Sequence, residues 1–138
     1  MKLLGPLRRS GTKAVVESAN KLYDVLKKEA EGWKAEAETL TGSDPVSAYD
    51  LYTKVAAHFP TEAFGKAAAD AKQKLATNKA VAAELAARKA YTQLTAGITA
   101  AGPHQKVQVL QQLKVFLKKH GDTPTGNKVA ALAKELEK

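Results

Sequence analysis

From Thr12 onward apolar residues return every three or four positions. Val15, Ala19, Leu22, Leu26, Ala30, Trp33, Ala37 and Leu40 form one stripe of an amphipathic helix predicted over 12–40. Gly32 lies inside it at a cost of about 1 kcal/mol against alanine, and Thr41-Gly42-Ser43 ends it. Asp44-Pro45 restarts the chain as an N-cap followed by proline at the first helical position. The second helix runs to about His58, with Ala48, Tyr49, Tyr52, Val55, Ala56 and Phe59 as its apolar set. Pro60 stops it. Phe59-Pro60-Thr61 reads as a tight turn and Thr61 as the cap of a third helix. That helix ends near Thr77-Asn78 and places Ala63, Ala67, Ala71 and Leu75 on one face.

Asn78 caps a fourth helix, where Ala87, Tyr91, Leu94, Ile98 and Ala101 keep the period beside Val81 and Leu85. Gly97 weakens its last turn, and Gly102-Pro103 breaks the chain. A fifth helix covers 104–119 with Val109, Leu110, Leu113, Phe116 and Leu117 as core. Thr123-Pro124 repeats the cap-plus-proline device before a sixth helix carrying Val129, Leu132, Ala133 and Leu136. Residues 1–11, interrupted by Gly5-Pro6 and Ser10-Gly11, read as an irregular lead-in whose Leu3, Leu4 and Leu7 are free to dock on a neighbour. The pattern predicts an all-α chain of about six helices in stacked antiparallel hairpins, the first helix long. Its 138 residues fit one domain over 12–138.

Composition sharpens this picture. The apolar share is 44%, much of it alanine, and aromatics are only 6%. Alanine is the best helix former but buries little area, so a thin, layered core is expected. The absence of cysteine excludes disulfides, thiolate chemistry and cysteine-based zinc sites. No apolar run approaches the roughly 20 residues that span a bilayer. The start, MKLLGPLRRSGTK, has no apolar stretch of the signal-peptide kind. A cytoplasmic protein, or a mature or excised piece of a periplasmic one, fits both facts.

The net charge of +8 is unevenly spread. Lys2, Arg8, Arg9 and Lys13 crowd the start without an acid. Arg88, Lys89, Lys106, Lys114, Lys118, Lys119, Lys128 and Lys134 face Asp122 alone in residues 85–134. A solubilising coat is the simplest use of such lysines. The alternatives are contact with an acidic partner, a nucleic acid or another anionic surface. Lys114, Lys118 and Lys119 form a basic ridge ending the fifth helix, with Lys128 joining from the sixth. These four are the candidate partner-binding residues.

No catalytic constellation stands out. His58, His104 and His120 lie at helix ends or turns without the convergence a metal site needs. Asp24, Glu29, Glu31, Glu36 and Glu38 interleave with Lys21, Lys27, Lys28 and Lys34, as on a solvated helix face. Phosphate-loop, dinucleotide, serine-hydrolase and metalloprotease signatures are missing. Ser10, Ser18, Ser43 and Ser47 suit turns, caps or solvent faces. Trp33, Tyr49, Tyr52 and Tyr91 suit the core, with a peptide groove as their alternative use. No enzyme activity, cofactor or metal is expected.

Residues Val46–Lys74 and Val107–Leu136 are alike. Tyr49, Tyr52, Val55 and Ala56 align with Leu110, Leu113, Phe116 and Leu117, and Thr61 with Thr123, at a spacing of about 61 residues, as in stacked helical hairpins. LTGSDPVSAYDLYTKVAAHFP resembles the core of a tetratricopeptide repeat at Leu40, Gly42, Ala48, Tyr52, Val55 and Pro60. Gly102, Val109, Leu113, Phe116 and Gly121 resemble a second copy, departing at Val109 and Gly121, where the motif has a small residue and proline. The alanine- and lysine-rich style also resembles helical tails that follow thioredoxin-like domains in some bacterial envelope proteins. The resemblance implies a non-catalytic scaffold that mediates protein–protein interaction, as a subunit of an assembly or a domain of a longer bacterial protein. Nucleic acid, or another anionic surface, bound through the basic C-terminal half is the alternative.

Overall fold

The computed structural model of the protein describes residues 4–10, 12–101 and 106–137, and every regular element among them is helical. The helices are α1 (Leu4–Ser10), α2 (Lys13–Leu40), α3 (Pro45–His58), α4 (Ala63–Leu75), α5 (Lys79–Ala101), α6 (Lys106–His120) and α7 (Pro124–Leu136). The all-α expectation holds, with the long early helix where the apolar stripe puts it. Contacts gather the chain into two compact units, Met1–Thr77 and Asn78–Lys138, where length alone suggests one domain.

In the first unit α2 lies along α3, and α3 packs on α4. The core is Ala30, Ala37, Ala48, Tyr52, Val55, Phe59 and Ala68, with Tyr23, Leu26, Trp33 and Leu40 packed against it from α2. Alanines at the contact let the helices approach closely, and the rings of Tyr52 and Phe59 fill what the alanines leave. Asp44 caps α3 as its sequence predicts: Ser47 N donates to Oδ1 at 3.1 Å, and Ser47 Oγ to Oδ2 at 2.6 Å. These Ser47 hydrogen bonds hold the Asp44 carboxyl below its ordinary range.

Three expectations for this unit are corrected. Leu4–Ser10 is helical rather than irregular, because Gly5 and Pro6 fall in a first turn that needs no amide donors. Arg8 fastens α1 to α2, with Nε donating to Asn20 Oδ1 at 2.8 Å and the guanidinium 3.7 Å from the centre of the Tyr23 ring. Glu62, not Thr61, is the N-cap of α4, and its side chain makes no capping bond. The face of α4 that turns inward carries Phe64, Gly65, Ala68, Ala71 and Leu75, while Ala63 and Ala67 are exposed. Phe64 lies tilted against Phe59, ring centres 4.8 Å apart, and burying that ring outweighs burying two methyl groups.

The second unit packs α5, α6 and α7 against one another around Ala87, Leu113, Phe116, Val129 and Ala133. Asn78 Oδ1 accepts from Ala80 N at 2.9 Å, and Thr123 Oγ1 accepts from Gly126 N at 3.0 Å, so both predicted caps form. α5 continues through Gly97 to Ala101. Leu132 and Leu136 are 41% and 37% exposed rather than core, because Val129 and Ala133 take the inward positions of α7. The side chains of Ile98 and Ala101 fall outside the described part of the molecule, as do Leu3, Gly102 and His104.

The internal repeat is visible at its tightest point. Gly65 and Gly126 are the third residues of α4 and α7, and each lies against the carbonyl six residues earlier. A Cβ on Gly65 would stand 1.7 Å from the Phe59 oxygen, and one on Gly126 would stand 1.9 Å from the His120 oxygen. That register places Glu62, not Thr61, opposite Thr123.

Candidate interaction groove

The four lysines singled out in the sequence do not act alike. Lys114 Nζ reaches Glu137 Oε1 at 3.2 Å and ties α6 to the end of α7. Lys118 and Lys128 are exposed on α6 and α7. Lys119 stands on the rim of an open groove between α5 and α6. The groove holds about 710 Å3. Its floor is apolar, from Leu94 on α5 to Val115 and Phe116 on α6, and Val115 is 58% exposed. Its walls carry carboxamides from Gln93, Gln108, Gln111 and Gln112. No acid lines it among the described residues.

Helix geometry explains the grouping. Gln111 and Gln112 lie three and four positions after Gln108, and Val115 and Lys119 continue at steps of three or four, so the five share a face of α6. Phe116 is buried in the core and closes the bottom of the groove, its ring 6.4 Å from Tyr91 and 5.0 Å from His120. His120 is thereby half-buried at the end of the groove. His58 is exposed at the end of α3, with Nδ1 2.8 Å from the Lys54 carbonyl. Among the described residues no three metal-ligating side chains come together.

The aromatic candidates divide. Tyr52 is buried, and Tyr49 is half-buried, with the Lys72 ammonium 5.7 Å from its ring centre. Trp33 is half-buried, edge-on to the His58 ring at 5.6 Å, with Lys54 Nζ 5.7 Å from the indole centre. On the acidic face of α2, Lys27–Glu31 and Lys34–Glu38 form the expected i,i+4 pairs at 3.8 and 2.7 Å. Glu38 holds the Lys34 ammonium pKa up. A second apolar trough runs along α1 and α2 between Leu4, Leu7, Val15 and Leu22.

Two elements escaped the sequence reading. The glutamine wall was hidden because glutamine has no periodic signature of its own, although its spacing on α6 was available. Glu84 was hidden in an alanine-rich helix, yet it is buried and accepts from Thr125 N at 3.0 Å, Thr125 Oγ1 at 2.6 Å and Arg88 Nε at 2.8 Å. Burial pushes its pKa up, but the Thr125 hydrogen bonds and Arg88 outweigh this, and the carboxyl lies below its ordinary range. The i,i+4 spacing of Glu84 and Arg88 was its only trace in the sequence. Tyr23 is shifted the other way: burial and the neighbouring Glu62 carboxylate raise its phenol, with Arg8 opposing.

No family model matches this chain, and no curated protein or solved structure matches it either.

Proposed function

We propose that the protein is a non-catalytic helical scaffold that binds a protein partner, and that the α5–α6 groove is its docking surface. The observation that carries this reading is the groove itself: an apolar floor left open to water, walled by glutamines and rimmed by Lys119. Val115, at 58% exposure, would be buried by an occupant. Burial of such surface drives association, while the carboxamides supply both donors and acceptors for orientation. The likeness of Leu40–Pro60 to a tetratricopeptide hairpin supports the same reading, as does a chain built from a doubled helical unit. Pairing of Lys114 with Glu137 leaves fewer free cations on α6 than a phosphate-tracking surface would want.

The test is affinity capture on the immobilised chain, comparing wild type with Val115→Glu and with Val25→Glu. Val25 is 64% exposed on α2 and serves as the control. Proteins retained by wild type and the control but lost with Val115→Glu support the reading. Equal retention by all three refutes it. Duplex DNA binding that falls steeply with salt would replace it with the nucleic-acid alternative.

A further inference from the structure

We infer that the α5–α6 groove takes an aromatic side chain, tryptophan above all, carried by an acidic segment of the partner. This rests on the docking reading above and specifies its occupant.

The first unit already shows the occupied form. Adding the repeat spacing of 61 to Trp33, Lys54 and His58 gives Leu94, Val115 and Lys119. The last three all line the open groove. In the first unit their counterparts surround an indole: Trp33 lies edge-on to His58 at 5.6 Å, with Lys54 Nζ 5.7 Å from its centre. Trp33 packs against that unit's core from between α2 and α3. In the second unit leucine replaces tryptophan, and the equivalent space opens to solvent between α5 and α6. The groove is thus a site whose own plug is missing.

The surrounding chemistry matches an external plug. An indole brings a large apolar face and one N–H donor. The floor of Leu94, Val115 and Phe116 meets the face, and the carboxamide oxygens of Gln93 and Gln112 are acceptors for the donor. Lys119 supplies at the rim a cation of the kind that Lys54 places over Trp33. The charge of the partner follows from what is already neutralised. Glu84 is engaged by Arg88 and Thr125, and Glu137 by Lys114, while Lys119 is exposed on the rim of a groove that no described acid lines. Acidic residues flanking the aromatic one complement that rim and speed encounter.

Two probes test this: an unstructured twelve-residue peptide of Asp, Glu, Gly and Ser with one central Trp, and its Trp→Ala counterpart. A third version replaces the acids with Lys. Each is titrated into the ¹⁵N-labelled full chain. The tryptophan peptide should shift amides around Leu94 and Val115 saturably, and bind at least about tenfold tighter than the other two. Leu94→Trp, which supplies the plug internally, should weaken binding at least about tenfold while helicity is kept. Gly97→Leu is the second variant, since a Cβ there meets nothing within 4 Å and the side chain narrows the groove. It should also weaken binding, and it decides the matter if Leu94→Trp fails to fold. Equal binding of the tryptophan and alanine peptides, unchanged binding by the folded variants, or no saturable binding overturns the inference. If that happens while Val115→Glu still loses captured proteins, the docking reading stands without its aromatic occupant. If Val115→Glu loses nothing, the docking reading itself has failed.

Discussion

Gly65 and Gly126 close the two interhelical turns of the repeat, each pressed on a backbone carbonyl that has nowhere to go. Phe59 O also accepts from Glu62 N at 3.3 Å, and His120 O from Thr123 N at 3.1 Å, so shifting either oxygen loosens a turn. Gly65→Ala and Gly126→Ala should therefore each destabilise their own unit by about 3 kcal/mol, at the upper end of the usual overpacking cost. Gly32→Ala is the contrast, because a Cβ there meets nothing within 4 Å on an exposed helix face. It should stabilise by about 0.5–1 kcal/mol through helix propensity. Urea unfolding monitored by circular dichroism measures all three. Near-neutral effects at Gly65 and Gly126 would mean that the turns are looser than this packing. At the same scale, these glycines were present in the sequence 61 positions apart but silent there. Glycine in a helix reads as a weakness until the carbonyl it accommodates is seen.

At the scale of elements, most helix boundaries were legible because capping chemistry is local. Asp44-Pro45, Asn78 and Thr123-Pro124 each act within three residues of themselves, so their side chains reveal them without the fold. The cap of α4 was misplaced by one residue, since Thr61 is a good capping type but the chain must reach Gly65 in register with Phe59. Glu84 ties two elements together, holding the first turn of α7 to α5. The positive end of α7 adds to its stabilisation. Its folded carboxyl titrates below its unfolded one, so the unfolded chain takes up the proton first as pH falls. The stabilisation is therefore complete above the ordinary glutamate value of about 4.3 and drains away as pH drops through the lower folded value. Glu84→Gln should cost about 2 kcal/mol at pH 7, the scale of hydrogen bonds to a charged group. That cost should shrink steadily below about pH 4. Stability curves of both forms from pH 7 to pH 3 check it, and a pH-independent difference would mean that the charge contributes nothing.

For the whole molecule, charge separates solvation from contact. Lys118→Glu and Lys128→Glu should leave stability within about 0.5 kcal/mol, as exposed substitutions do. Lys114→Glu faces Glu137 with a like charge and should cost up to about 1 kcal/mol, less as salt rises. Urea midpoints at low and high salt distinguish these cases, and equal effects at all three positions would show that the Lys114–Glu137 pair does not persist in solution.

The sequence by itself determined the helical class, the long early helix, most caps and the doubled hairpin. Each of these rests on spacing or on interactions within one turn of helix. It also placed Tyr52, Val55, Leu113 and Phe116 inside, because their apolar period points them together. Only the tertiary structure decided which apolar positions stay wet. Leu22 and Leu132 carry the same stripe signal as buried neighbours, and exposure depends on whether another helix covers them. It likewise decided that contacts gather into two units rather than one, and that α1 is a helix held by Arg8 across twelve residues. The groove belongs to this second group. Its residues come from two helices, Leu94 and Gln93 on α5 with Val115 and Lys119 on α6, and Leu94 stands where the first unit has Trp33. Both residues read as core in a one-dimensional pattern, and only packed volume tells a filled space from an open one.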